Sequence, residues 1–110
     1  MNHLTRHCSI IALTTIAVIG TCAAEDKLPA SKPDAVCAGC HGPGGSNPVA
    51  ADTPRLAGQA EDYLAHALRD YRSGARPNAI MSAMASPLSD VQIQDLAHYF
   101  AAQPGLTTKY

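Results

Sequence analysis

Residues 36–45 read VCAGCHGPGG, and this short stretch holds most of the chemistry of the chain. Cys37 and Cys40 are separated by two residues, and His41 follows directly. Two cysteines at this spacing occur in redox-active dithiols, in zinc sites and where a cofactor is attached covalently. The rest of the sequence distinguishes these three kinds of site, because each one needs different surrounding residues.

The N-terminus has the layout of a secretory signal peptide. A weakly basic start at Arg6 and a mostly apolar run at residues 9–20 precede small residues that end at Ala24. We therefore predict a signal peptide at residues 1–24, cleaved at or next to Ala24, and export of the remaining chain. Two alternatives are an uncleaved membrane anchor, for which the apolar run is short, and lipid attachment at Cys22.

After this segment we expect a flexible stretch at residues 25–30, one domain at residues 31–105 and a tail at residues 106–110. The 110 residues include 8 Lys and Arg against 9 Asp and Glu, a single Phe and no Trp. The balanced charge gives no support for a nucleic-acid partner. The hydrophobic core is small, and such domains are usually stabilised further by disulfides, a metal or a cofactor.

Helix signals occur in three places along the predicted domain. Ser31 and Pro33 begin a first helix, which we expect to end near His41. Residues 59–73 are typical of an amphipathic helix, and Gly74 follows as its terminating residue. The apolar face of this second helix, expected to be core, consists of Tyr63, Leu64, Ala67, Leu68 and Tyr71.

A third helix begins at Ser89, which forms a capping box with Gln92, and it ends before Pro104. Its apolar positions are Ile93, Leu96, Ala97 and Phe100. Glycines and prolines make residues 42–54 and 75–87 irregular, although residues 79–85 can form a local turn. No period-two pattern predicts a strand, so we expect an all-α chain with three main helices and two irregular segments.

Two interpretations of the cysteine pair lack the residues that they need. A structural zinc site requires four ligands, but one cysteine pair remains after signal removal, and His66 and His98 fall in separate predicted helices. A thioredoxin-like dithiol lies at the start of a helix that follows a strand. Cys37 and Cys40 lie instead at the end of a predicted helix, in a chain without predicted strands.

Covalent haem attachment accounts for every feature of the stretch. Two thiols on one helical turn can reach both vinyl groups of a haem, and His41 then lies beneath the ring with an imidazole nitrogen toward iron. The glycine- and proline-rich loop at residues 42–54 allows the backbone to approach a flat macrocycle closely. The haem would also supply the missing part of the core.

At these residues the chain resembles the class I c-type cytochromes of bacteria. It is most similar to small monohaem members, to one half of the dihaem c-four type and to the cytochrome subunit of flavocytochrome c sulfide dehydrogenase. The resemblance covers residues 36–102. Its segments, in family order, are CAGCHGPGG (37–45), PRLAGQ (54–59), YL (63–64), GARPNAIM (74–81), LSD (88–90) and LAHYF (96–100).

This resemblance implies the class I cytochrome c fold, with three main helices and irregular loops wrapped around one covalent haem c. It implies thioether attachment at Cys37 and Cys40, and iron ligation by His41 and a methionine sulfur. The Pro54 carbonyl would accept a hydrogen bond from the other His41 nitrogen. The family pattern, in which the ligand methionine follows an arginine by five residues, selects Met81.

Other candidate ligands receive structural roles. Met84 is expected to pack beside the haem, and His66 and His98 are expected to face solvent or a helix contact. Family members often have a longer N-terminal helix, which Pro33 truncates in this chain.

The expected function is one-electron transfer, because two axial side chains leave the iron without an open site for a substrate. We expect an electron carrier rather than an enzyme, acting in a periplasmic respiratory or oxidative chain, with a redox protein as donor and another as acceptor. One alternative is the electron-transfer subunit of a multi-subunit dehydrogenase, such as a flavocytochrome, or the partner of an oxidase. Another is a haem sensor or peroxidase in which Met81 is labile.

Overall fold

The computed structural model describes residues 34–106, which form four α-helices and one short 3-10 turn. The helices are α1 (Ala38–His41), α2 (Glu61–Ser73), α3 (Ala79–Ala85) and α4 (Asp90–Ala101), and the 3-10 turn is Pro43–Gly45. None of the described residues lies in a strand, so the predicted all-α class is confirmed. Within the same residues, no helix has the length and apolarity needed to cross a membrane.

The first helix is shorter than predicted. Residues 34–37 form turns, and regular helix begins at Ala38 and ends at His41, as expected from the glycine that follows. Val36 is 76% exposed, so tertiary packing does not stabilise a regular helix upstream of the cysteines, and helices this short depend on such packing. The predicted start at Ser31 and Pro33 lies outside the described residues.

The second helix follows its sequence signals closely. It begins at Glu61, two residues after the predicted start, and Glu61 and Asp62 place negative charge in its first turn. Gly74 ends it in the left-handed conformation (φ 83°), and its N–H donates to the Tyr71 carbonyl. The terminating residue was therefore predicted correctly.

The last two helices are both capped by side chains. Asn78 accepts a hydrogen bond from the Met81 N–H (2.9 Å) at the start of α3. Ser89 and Gln92 form the predicted capping box at the start of α4, with each side chain bonded to the backbone of the other residue. These caps fix where α3 and α4 begin.

The hydrophobic core lies between α2 and α4, and α2 also packs against α3. Its buried members are Leu64, Ala65, Ile93, Leu96, Ala97 and Phe100. The four core positions predicted on α4 are all buried, whereas on α2 only Leu64 of the five predicted residues is fully buried and Ala65 joins it. The other four residues of that α2 face line a cavity instead.

Candidate functional site

A cavity of about 780 Å³ lies beside this core, and it is lined by residues of all four helices and of the loops that join them. All five residues that the resemblance implies at the cofactor line it: Cys37, Cys40, His41, Pro54 and Met81. These residues are spread over more than forty positions of the chain and come together only in the folded structure. The cavity is therefore the candidate site.

The two thiols are held on the single turn of α1. Cys37 is half-buried and packs against the core, whereas Cys40 is exposed, and both are free cysteines. Burial and then the nearby Asp34 carboxylate raise the pKa of the Cys37 thiol above its usual 9.0. Both cysteines line the cavity, as covalent attachment to one group inside it requires.

His41 has a defined tautomer. Its ring is 6% exposed, and Nδ1 lies 2.7 Å from the Pro54 carbonyl oxygen. A carbonyl can only accept, so Nδ1 must donate its hydrogen, and in the neutral ring the lone pair is then on Nε2. A histidine ligand to a metal is usually oriented by such a bond from its other nitrogen. The imidazole is thus prepared to coordinate through Nε2.

The Pro54 carbonyl is positioned by the loop that follows α1. The Gly45 carbonyl accepts hydrogen bonds from the N–H groups of Leu56 (2.9 Å) and Ala57 (3.2 Å). Gly45 itself has φ 72°, and its α-carbon lies directly under the Leu56 and Phe100 side chains. Because these bonds join the turn after His41 to the residues just after Pro54, the two partners of the histidine bond are held in register.

Both candidate methionines line the cavity from α3. Met81 is half-buried, and Met84, one turn later, is 47% exposed. The Asn78 cap bonds directly to the Met81 backbone and fixes the first turn of α3. Thioether sulfur is therefore available on a different wall from His41, in the two positions that the sequence singled out.

The remaining walls are largely apolar. The α2 face predicted to be core supplies Tyr63, Leu64, Ala67, Leu68 and Tyr71 to the cavity. A group with the flat apolar body of a porphyrin matches these walls, and its iron matches an imidazole and a thioether from separate elements. The donor set and the lining of this structure therefore fit a haem.

The other two histidines within residues 34–106 lie away from this cavity. His66 pairs with Asp70 on the exposed face of α2 (3.3 Å), and His98 pairs with Glu61 (3.0 Å) between α4 and α2. Neither lines the cavity. Among residues 34–106, no cluster of three or more His, Cys, Asp or Glu side chains could hold a metal ion.

Two residues near the site make contacts that the sequence did not predict. Asp34 is buried with 7% of its surface exposed, three residues before the first cysteine of the motif. Arg76 lines the cavity with its guanidinium 4.9 Å from the centre of the Tyr71 ring and 3.4 Å from the Tyr63 hydroxyl. Their partners are a backbone N–H and aromatic rings, which composition and spacing do not reveal.

Comparison with known proteins gives a consistent family. Residues 27–100 match the family described as cytochrome c oxidase, cbb3-type, subunit III. The chain is 44% identical to a thiosulfate dehydrogenase electron acceptor of Thiomonas intermedia (84% of this chain, 42% of that protein). It is 39% identical to cytochrome c4 of Stutzerimonas stutzeri (84% and 49%), and 38% identical to cytochrome c-554(548) of Halomonas halodenitrificans (74% and 93%).

The match spans less than half of the first two of these relatives and nearly the whole of the third. The family match covers the attachment motif, the α2 wall and both candidate methionines. With a cavity that fits a haem and this family match, the chain belongs to the class I c-type cytochromes, whose cofactor is a covalently attached haem c.

Proposed function

We propose that this chain is a one-electron carrier that holds a single haem c through thioether bonds to Cys37 and Cys40. His41 and Met81 are the axial ligands, and the Pro54 carbonyl orients the histidine. The observation that carries the proposal is the 2.7 Å bond between His41 Nδ1 and Pro54, in a cavity that Met81 lines from α3. When bound, haem c supplies an iron centre that alternates between two oxidation states.

The side chains of the protein keep this chemistry to electron transfer. His41 would hold the iron through Nε2, because Nδ1 is bonded to the backbone, and a thioether of α3 would supply the second side-chain ligand, so that a substrate would find no free coordination site. The apolar walls from Leu64, Leu68 and Leu96 would shield a bound haem from much of the surrounding water. An iron held by two protein side chains in an apolar site would need little rearrangement when its charge changes. We therefore propose a carrier rather than an enzyme.

Exposed apolar residues surround part of the cavity on its outer side. Val36 (76% exposed), Ile80 (69%) and Met84 (47%) all line the cavity and reach the surface. Such a rim allows a partner to approach the cofactor edge over a short distance. The formal net charge of −1 argues against strong electrostatic steering of that partner.

The partners belong to this proposal as well. Two relatives are named as electron acceptors of thiosulfate dehydrogenase, from Thiomonas intermedia and Stutzerimonas stutzeri. We infer that this chain likewise accepts an electron from a dehydrogenase and passes it to a second redox protein, such as an oxidase. The second candidate function is that of a subunit permanently bound to the dehydrogenase, and the names of these two relatives support it equally.

Location follows from the N-terminal signal. We propose that residues 1–24 direct export and are removed, and that the cytochrome domain of residues 31–105 acts in the periplasm. Support comes from the apolar run at residues 9–20 and the small residues after it. Mass spectrometry of the exported protein gives the cleavage site and the mass of one attached haem directly.

The test of the ligand assignment is a pair of matched variants. The wild-type chain, exported from a host that attaches haem, is expected to show a covalent haem c spectrum with a sulfur-to-iron charge-transfer band in its oxidised form. Met81→Ala should abolish this band, and Met84→Ala, one turn along α3, should keep it. The reverse result would make Met84 the ligand, and a wild-type protein without covalent haem would refute the function.

Co-purification separates the two candidate functions. A free carrier is expected to elute alone from a periplasmic extract and to exchange electrons with its partners in transient encounters. If a dehydrogenase chain stays bound in a fixed ratio, this chain is a subunit of that enzyme and not a free carrier.

A further inference from the structure

Asp34 is a charged residue in an unusual environment. Its side chain is 7% exposed, although burial of a carboxylate is costly unless hydrogen bonds compensate. It lies three residues before Cys37 and one turn before Ala38, whose N–H donates to the Asp34 carbonyl (2.8 Å). The proposed function gives this residue no role.

The Asp34 side chain links three parts of the fold. Its Oδ2 accepts a hydrogen bond from the Gly44 N–H (3.1 Å), in the 3-10 turn that follows the histidine. The Tyr99 side chain of α4 lies beside the same carboxylate: burial and then Asp34 raise the pKa of the Tyr99 hydroxyl. The Tyr99 ring in turn packs edge-on against Phe100 of the core, at 5.2 Å between ring centres.

The turn that Asp34 holds is connected to the histidine from both sides. On one side, the Gly42 N–H bonds to the Ala38 carbonyl and ends α1 directly after His41. On the other side, the Gly45 carbonyl bonds to residues 56 and 57, just beyond the Pro54 carbonyl that accepts from His41. The Asp34 contact with Gly44 therefore lies between the two ends of the histidine bond.

We propose that Asp34 is a positioning residue for haem attachment and ligation: its carboxylate fastens the turn after His41 to the start of the motif and to α4. The proposal rests on the function proposed above. The regular part of α1 is a single turn, which offers little surface to pack against α4. A buried, hydrogen-bonded carboxylate supplies the fixed point that a longer helix would otherwise supply, and without it the His41 ring and the loop at Pro54 gain freedom.

The experiment measures how readily an added ligand enters the iron site of the oxidised holoprotein. Cyanide is the probe, because it must displace an axial side chain and so reports opening of the site. In Asp34→Ala the binding rate is expected to rise at least about tenfold, which corresponds to about 1.4 kcal/mol, close to the lower limit for hydrogen bonds to charged groups. Asp34→Asn keeps an oxygen that accepts from Gly44 and should restore most of the wild-type rate.

Two further variants separate this role from general destabilisation. Tyr99→Phe removes only the hydroxyl beside Asp34 and should raise the cyanide rate by a smaller factor than Asp34→Ala. Asp70→Ala removes a partly exposed carboxylate on α2 whose partner is His66, outside the motif, and should leave the rate within about twofold of wild type. The paramagnetically shifted proton resonances of the haem and His41 should move in Asp34→Ala and stay in place in Asp70→Ala.

The possible outcomes distinguish failure of the role of Asp34 from failure of the proposed function. An Asp34→Ala rate within about twofold of wild type, or equal rates in Asp34→Ala and Asp34→Asn, would overturn the role of Asp34. If Asp34→Ala attaches no haem, the decision passes to Tyr99→Phe, and a wild-type cyanide rate in that variant would overturn it. A wild-type chain without covalent haem overturns the proposed function and this inference together, whereas the variant ratios refute this inference alone.

Discussion

Replacement of Gly45 by alanine tests how the loop at the site is held against the core. Gly45 has φ 72°, a left-handed conformation, and an added Cβ would lie 2.7 Å from the Leu56 Cβ and 2.9 Å from the Phe100 Cδ1. The Leu56 Cβ is attached directly to the backbone and cannot rotate away. Gly45→Ala therefore imposes both a strained backbone and a steric overlap.

The cost follows from these two terms. A non-glycine residue in the left-handed region costs about 1–2 kcal/mol. Overpacking of a close contact costs about 1–3 kcal/mol. The free energy of unfolding should therefore fall by roughly 2–5 kcal/mol, a large share of the roughly 5–15 kcal/mol that keeps a typical domain folded.

Alanine variants at two other glycines separate the cost of backbone strain from the cost of steric overlap. Gly74 also has positive φ (83°), but an added Cβ would meet nothing within 4 Å, so Gly74→Ala should cost only the backbone term of about 1–2 kcal/mol. Gly39 lies in α1 with open space around it, and Gly39→Ala should be neutral or stabilising by up to about 1 kcal/mol. Guanidinium unfolding of the holoproteins, followed by circular dichroism, measures all three.

The order of the three variants in free energy of unfolding tests this reasoning. If Gly45→Ala proves no less stable than Gly74→Ala, the overlap with Leu56 and Phe100 is absorbed without cost, and the close packing of this turn does not hold the loop. A loss in Gly39→Ala that equals the loss in Gly74→Ala would show instead that any added methyl group in these segments is harmful.

Two more predictions concern the frame around the site. Ile93 is fully buried between α2 and α4, so Ile93→Ala should lower the free energy of unfolding by about 2–5 kcal/mol. Val91 lies on the exposed side of α4, and Val91→Ala should change this free energy by no more than about 0.5 kcal/mol. Equal losses in the two variants would refute the assigned core. The Arg72 guanidinium hydrogen-bonds Asp90 at 2.6 Å and lowers the pKa of Asp90 below 3.8. This pair stabilises the fold above pH 3.8 and loses that effect as pH falls through the lowered pKa. The difference in melting temperature between wild type and Arg72→Gln should therefore shrink toward low pH. A constant difference would show that the charge of Asp90 is not involved.

The sequence predicted the helices best where the signals were local. Ser89 with Gln92, and Gly74 after α2, are caps formed within a few residues of their helices, and the structure has each of them. The α2 face was assigned to the core because a sequence pattern records only that residues are apolar. It does not record whether they meet another helix or a cofactor, and Tyr71 lines the cavity.

The site was predictable to a different degree at each residue. Cys37, Cys40 and His41 stand together in a recognisable motif, and Met81 was selected by family pattern; their roles stay predictions until the variants are made. Asp34 was not singled out as part of the site, because its partner is the Gly44 N–H, and every residue other than proline carries that group. Hydrogen bonds between a side chain and the backbone cannot be predicted from amino-acid composition.

The acceptor that orients His41 is a main-chain oxygen, and this has a consequence for mutational robustness. No single amino-acid replacement at position 54 deletes a carbonyl, whereas one base change can remove an aspartate or asparagine that serves the same purpose by its side chain. The tautomer of the imidazole is therefore encoded in the path of the loop and not in the identity of one residue. Damage to it must come from insertions, deletions or substitutions elsewhere that displace the loop, so that a genetic screen limited to position 54 would overlook one of the most important contacts of the site.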